Sequence, residues 1–378
     1  MASAIHPHNW RQQPPAPVRR VWIAKPGTTE RRPLAILPMI DRCKQVLVKL
    51  ALEPEWEARF EAHSYGYRPG RGAHDAIAAI LAATRRRPMY VFNADIEKAF
   101  DTLSQAVILE KLQTYPALRE AITAWLKAGV IDAGTYFPSN TGIPQGGALS
   151  PLLLNVALHG MEAVVTNHMA REQPLLVRYA DNFVILHTDP GILHQTTRRV
   201  RSWLSTLGLQ LSAHKTHFAH TLMPFQGEVG FDFLGFHLHQ EPCEKRPAGK
   251  SKQERAIPVK TITTPSQEAS KRHLAATRQK LQQMQTAPQV QVIAELNPLI
   301  LGWATYYNGV VEARVMSQYD ELVEQQLMEW ASKRHPGKTR EWLLAHYWQR
   351  SGNQKRIFAT PEGVQLHTYQ SMNLLKES

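Results

Sequence analysis

Leu175-Leu-Val-Arg-Tyr-Ala-Asp-Asn-Phe-Val-Ile-Leu-His187 is the stretch on which the reading of this chain turns. Two apolar runs flank the tetrapeptide Tyr179-Ala180-Asp181-Asn182. Apolar runs of about four to eight residues around turn formers read as buried strands, so the stretch predicts strand, tight turn, strand, with Asp181 in the turn. Upstream, Met89-Tyr-Val-Phe-Asn-Ala94 reads as another strand, ending at Asp95, 86 positions before Asp181. A lone Asp at a strand end is most often a turn former or a helix N-cap. Two of them on paired strands have a further use. Convergent carboxylates hold divalent cations, and two such ions about 3.5–4 Å apart clamp the attacking and leaving oxygens of phosphoryl transfer.

Working outward, Val21-Trp-Ile-Ala24 and Leu34–Leu37 predict a hairpin whose turn carries Arg31 and Arg32. Helical spacing runs through 41–62 and 73–84, around a Gly-, Tyr- and Arg-rich loop, 64–72. Helices are expected over 104–129, 151–170 and 191–207, and a strand over 231–239. After a basic loop, 245–260, the spacing predicts helices near 266–287, 295–313, 317–334 and 339–349. Asn297-Pro298 is expected to open the second of these, Asn as cap and Pro at the first position.

Six segments in one order carry a family resemblance. They are Tyr65-Gly66-Tyr67-Arg68-Pro69-Gly70-Arg71 with Ala73-His74-Asp75-Ala76; Asp95 with Phe100-Asp101; Thr141 to Gly147 followed by Leu149-Ser150-Pro151-Leu152; Tyr179 to Asn182; Leu207-Gly208-Leu209 through Lys215-Thr216; and Phe233-Leu234-Gly235-Phe236. Together they resemble the reverse transcriptases of bacterial group II introns, over about residues 18–350. Leu296-Asn297-Pro298, Gly302-Trp303, Tyr306-Tyr307, Arg334-His335-Pro336 and Trp342 are similar to that family's maturase, or thumb, domain.

The resemblance implies an α+β right-hand polymerase, fingers and palm with an antiparallel sheet, followed by an all-helical thumb/maturase domain. It divides the chain into a flexible N-terminal segment 1–20, fingers and palm 21–244, a basic linker 245–260, the helical domain 261–350 and a short tail 351–378. No nuclease domain is expected, and most of the family's N-terminal extension is expected to be missing. The implied activity is RNA-directed DNA polymerisation, joining deoxynucleotides (dNTPs) to a DNA primer on an RNA template, with binding of intron RNA for splicing.

The resemblance also implies residue roles. Asp95, Asp181 and the Ile96 carbonyl would ligate two Mg²⁺ ions, with Asn182 beside them and Lys215 as a general acid near pyrophosphate. Arg31, Arg32, Phe100, Gln145 and Gly146 would bind the nucleotide. Phe233, Leu234 and Gly235 would grip the primer. Arg68, Arg71, Lys250, Lys252, Lys271, Arg272, Arg334 and Lys338 would meet RNA. Asn182 departs from the family's Asp. It keeps an oxygen and removes one negative charge, so a maturase with weak or lost polymerase activity is the alternative.

Composition agrees. Net charge is +12, and the excess is clustered: ten basic residues against two acidic from Lys245 to Lys280. Clusters of this kind suit a phosphate backbone better than uniform solvation. No apolar run approaches the ~20 residues that span a bilayer, and a cytoplasmic protein is expected. Cys43 and Cys243, the two cysteines, form no metal-site spacing. His214, His217 and His220 lack the spacing of a helical zinc pair and read as ordinary polar residues.

Overall fold

A computed structural model describes residues 10, 13–24, 31–166, 172–243, 259–350 and 356–370. The sequence expectations for Lys250, Lys252 and nearly all of the basic linker lie outside the described residues. The chain divides into two units, one of Met1–Phe231 with Gln240–Thr261, the other of Asp232–His239 with Ile262–Ser378.

In the first unit, β1 (Val18–Ala24) and β2 (Arg31–Ile36) form the expected hairpin, Val21 opposite Leu34; Arg31 and Arg32, expected in its turn, are instead paired within β2, opposite Ala24 and Ile23. β4 (Val130–Asp132) runs parallel to β1 and carries β5 (Thr135–Phe137) at the edge. The second sheet is built on β3 (Tyr90–Glu97). Antiparallel β7 (Asn182–His187) flanks one side, with β6 (Leu175–Tyr179) beyond it. β8 (Gln210–Leu211) and β9 (His217–His220) pair with the other side. Both neighbours bury the middle of β3, and helices close the faces. That is why the middle of β7 reads as an unbroken apolar run, and β3 as one broken only by Asn93 and Asp95, rather than as alternating strands. Phe92, Ala94, Ile96, Phe183 and Ile185 share one core with residues of α4 (Gln105–Leu112), α6 (Ser150–Leu158) and α8 (Pro190–Thr206). Asp189 starts α8, accepting from Gly191 N at 2.7 Å and Ile192 N at 3.3 Å, with Pro190 in the first turn.

Helix α1 (Met39–Glu57) and α2 (Ala73–Thr84) form near the expected places, and a single turn, α3 (Ala99–Thr102), follows β3. The helix expected over 104–129 is two, α4 and α5 (Pro116–Lys127). Gln113 turns into the left-handed region, φ 41°, and Pro116, costly in a helix interior but suited to a first turn, opens α5. The helix expected over 151–170 is likewise α6 and α7 (Met161–Thr166), parted at Gly160, φ 97°; residues 167–170 are not described. The single strand expected over 231–239 is β10 (Phe231–Phe233), a turn at Leu234 and Gly235, and β11 (Phe236–Pro242).

The second unit follows β12 (Val259–Pro265) with α9 (Gln267–Gln283), α10 (Gln289–Tyr307), α11 (Ala313–Arg334) and α12 (Arg340–Tyr347). Asn297-Pro298 does not open α10. Val292, Ile293 and Leu296 bury completely and add two turns ahead of it, so Pro298 lies inside the helix. The Asn297 amide does other work. It donates to Gln365 O at 3.2 Å and accepts from His367 N at 2.8 Å. Tyr369, 2% exposed, bonds His273 Nε2 at 2.6 Å, and its N–H reaches Asp320 at 2.7 Å. Residues 356–370, expected within a simple tail, are thus stitched onto the bundle. The unit is also not all helical, since β13 (Trp348–Arg350) pairs with β14 (Arg356–Phe358).

Candidate active site

The antiparallel register of β3 and β7 sets Asp95 directly opposite Asn182. Tyr179 pairs with Asn182, which leaves Ala180 and Asp181 as a two-residue loop. Ala180 takes φ 56°, a conformation costing a residue with a Cβ roughly 1–2 kcal/mol. The surroundings hold it there. Ile96 N donates to Asp181 O at 3.0 Å, so the loop is hydrogen-bonded to β3 itself. A Cβ on Gly66 would overlap Ala180 N and stand 2.9 Å from the Tyr179 carbonyl carbon. Only glycine lets the 63–67 loop press this closely on the turn.

Arg178 locks the same turn from beneath. Its side chain is fully buried, and Nη1 donates to Ala180 O at 3.2 Å and Asn155 Oδ1 at 3.0 Å. Nη2 donates to Ser64 Oγ at 2.7 Å. Asn155 in turn donates to Gly66 O at 2.9 Å, closing a ring of bonds around the loop. The buried charge has acidic counterparts. Glu61 meets His159 at 3.2 Å and accepts from Gly160 N at 2.5 Å. Burial pushes the Glu61 carboxyl up, but His159, Arg178 and Gly160 outweigh it and hold it at about 2. Burial draws Arg178 down to about 10, still fully charged at neutral pH, and Lys111 down to about 8 against the pull of Glu61.

Above the turn opens a cavity of about 1000 Å³ lined by Asp95, Asp181, Asn182, Lys215, Phe100, Gln145, Arg31 and Arg32 among others. These parts of the sequence lie up to 184 positions apart, Arg31 to Lys215. Burial raises the Asp181 carboxyl, and the charge of Asp95 raises it further. Lys215 Nζ stands 3.2 Å from Asp95 Oδ2. Asn182 Nδ2 donates to Asp181 Oδ1 at 3.4 Å, so a ligand role for Asn182 requires its amide to turn over. Gln145 and Gly146 sit on the β2 hairpin: Ala35 N donates to Gln145 O at 2.6 Å, and a Cβ on Gly146 would stand 2.8 Å from Ala35 O. Gln145 Nε2 also lies 3.4 Å from Asp101 Oδ2. The Phe100 ring meets Tyr67 edge-on, centroids 6.3 Å apart.

The residues read as gripping the primer lie in the second unit or at its border. Leu234 and Gly235, φ 50° and 79°, form the turn between β10 and β11. Of the residues read as RNA contacts, Lys271 and Arg272 are exposed on α9. Arg68 and Arg334 are committed elsewhere. Arg68, 6% exposed, chelates Glu57 at 2.8–3.1 Å and donates to Glu61 O and Ser64 O at 2.8 Å. Arg334 Nη1 donates to Gln285 O at 3.1 Å and Ala287 O at 2.5 Å and stacks on Trp330. Both are internal ties rather than free cations. Arg71 donates to Ala62 O at 2.5 Å, and Lys338 lies over the Trp342 ring. His220 accepts at Nδ1 from Leu222 N and Met223 N and is buried, the ordinary role expected of it.

Sequence reasoning gave Tyr67, quoted within a motif, no role and did not single out Arg178 or Asn155. A signal for Arg178 was present: one cation inside the apolar run Leu175–Tyr179 must either reach solvent or find buried partners.

Asp95 and Asp181 thus stand at paired strand ends beside a cavity also lined by Arg31, Arg32 and Lys215, and comparison with known proteins gives the class of protein. Residues 23–238 match the family model for reverse transcriptase (RNA-dependent DNA polymerase), and the chain belongs to that family. Residues 270–348 match the group II intron maturase-specific domain. The chain is 30% identical over 262 residues to Protein YkfC of Escherichia coli strain K12, covering 59% of this chain and 67% of YkfC. It is 34% identical over 154 residues to the group II intron-encoded protein LtrA of Lactococcus lactis subsp. cremoris, covering 40% of this chain but 26% of LtrA. Maturase-like protein 1 of Euglena gracilis is 28% identical over 207 residues, 52% of this chain and 40% of that protein. No helix among the described residues is long and apolar enough to cross a membrane.

Proposed function

We propose that this chain extends a DNA primer on an RNA template with dNTPs and also binds intron RNA as a maturase. The observation that carries the proposal is the pairing of β3 with the 179–182 turn, which brings Asp95 and Asp181 to one edge of a cavity rimmed by Arg31 and Arg32. Family membership supports the reaction class, and the maturase-specific match supports intron RNA as a partner.

Reverse transcriptases use divalent metal, and the donors here fit it. Asp95, Asp181, the Ile96 carbonyl and the Asn182 amide oxygen are hard oxygen ligands of the kind Mg²⁺ takes. The Asp181 carboxyl is raised by its burial and then by the charge of Asp95 beside it, so a cation bound between them would favour its charged form. Two bound Mg²⁺ ions would supply charge stabilisation for the attacking and leaving oxygens. The protein's own residues do the rest. Arg31 and Arg32 receive the triphosphate, a geometry guanidinium groups match bidentately. Phe100 forms the floor under the sugar. Lys215, by exchanging Asp95 for the departing pyrophosphate, delivers a proton there.

Asn182 favours a second reading, a maturase whose polymerase step is weak, because the site has one negative charge fewer to hold two dications. Primer extension on an RNA template, run beside Asp95→Ala and Asp181→Ala, separates the two. Extension lost in both variants with RNA binding kept supports the polymerase. A folded wild-type protein that binds RNA and promotes splicing but adds no nucleotide supports the second reading.

A further inference from the structure

We infer that Tyr306 and Tyr307 are positioning residues for the primer end, holding the turn on which it sits. The inference rests on the reading of Phe233–Gly235 as the primer grip. Two adjacent hydroxyls of α10 hold two consecutive carbonyls of that turn. Tyr306 Oη donates to Leu234 O at 2.7 Å, and Tyr307 Oη donates to Gly235 O at 2.8 Å. The next residue is clamped as well. The Phe236 ring stacks on Tyr306 at 5.2 Å and meets Tyr307 edge-on at 4.9 Å. Gly235 O accepts a further bond from Ser266 N at 2.8 Å, the residue that caps α9.

The turn needs such support. Leu234 and Gly235 are both in the left-handed region, where a leucine is strained. A two-residue turn at positive φ is held by its flanking strands and by whatever binds its outward carbonyls. Here those carbonyls face one helix of the bundle. The segment Asp232–His239 accordingly groups with the helical unit and not with the sheet that carries Asp95 and Asp181. A primer seated on this turn is therefore held by the same unit that the maturase-specific match covers. Tyr307 is well placed for a permanent donor. Burial, then Tyr306, raise its phenol far above the usual range, so it keeps its proton at every working pH.

The test uses the full chain, an RNA template and a DNA primer ending in 4-thiothymidine, in Ca²⁺ so that no nucleotide is added. Photocrosslinks are mapped by mass spectrometry, and duplex affinity is read by fluorescence anisotropy. Wild type should crosslink its primer end to Leu234 and Gly235. Tyr306→Phe and Tyr307→Phe should each reduce that crosslink about fivefold, the worth of one hydrogen bond, and change duplex Kd less than about twofold. A merely structural role would lower the melting temperature and leave the crosslink in place, which overturns the inference. Gly235→Ala, strained at φ 79° with its Cβ 3.2 Å from Tyr307 Oη, separates the two layers. If wild type shows no crosslink at the turn, or Gly235→Ala leaves it unchanged, the primer-grip reading itself fails. If Gly235→Ala displaces the crosslink and the Phe variants do not, only the role of the hydroxyls fails.

Discussion

Asp181 carries opposing demands. Its carboxyl is raised by burial and by Asp95, so the folded, metal-free protein binds that proton more tightly than the unfolded chain does. The charge therefore destabilises the apo protein once the pH rises above the ordinary carboxylate range. Asp181→Asn should raise the melting temperature in EDTA at neutral pH while abolishing primer extension. A lowered melting temperature would contradict this assignment of the charge. Glu61 has the reverse sign. Its folded value, about 2, lies below the ordinary 4.5, so its stabilisation is full above the latter and is lost as pH falls towards the former. The shift corresponds to on the order of 3 kcal/mol. The urea midpoint of the wild type should fall steeply between pH 5 and pH 3, and that of Glu61→Gln much less.

At the scale of elements, the 179–182 turn depends on two supports the motif itself does not contain. Gly66→Ala would drive a methyl into the turn backbone and should cost about 1–3 kcal/mol of stability, an overpacking effect, with primer extension lost more than stability. Arg178→Met leaves Glu61 and Glu162 without their buried cation and should cost about 3–5 kcal/mol by urea denaturation. Strand β3, the 179–182 hairpin and α8 were legible because apolar runs, turn residues and the Asp-Pro start are all local signals. The breaks at Gln113 and Gly160 were harder to see, since the apolar periodicity resumes on the far side. Asn297-Pro298 misled for a physical reason. Asn before Pro has the composition of a helix start, but the burial of Val292, Ile293 and Leu296 is a tertiary effect and extends α10 past it. The Asn297 amide answers to residues 365 and 367, some seventy positions away, which no local pattern reports.

For the whole molecule, a net charge of +12 predicts RNA affinity that falls steeply with salt. Its distribution decides which cations matter. Lys271→Ala and Arg272→Ala, on the exposed face of α9, should each lower the slope of log K against log salt by about one. Arg68→Ala and Arg334→Ala should instead lower the melting temperature and leave the slope unchanged, because their guanidinium groups bind carbonyls and Glu57. Sequence alone could not make that distinction, since all four look alike as basic residues in motif-rich segments.

Whether Asp95 and Asp181 form a working polymerase site despite Asn182 decides what this protein does. The most direct test is single-nucleotide incorporation across a Mg²⁺ titration, comparing wild type, Asn182→Asp and Asp181→Ala on one primer and RNA template. Wild type should incorporate, Asn182→Asp should do so faster and at lower Mg²⁺, and Asp181→Ala should not incorporate at all. Incorporation by Asp181→Ala at the wild-type rate would contradict the account.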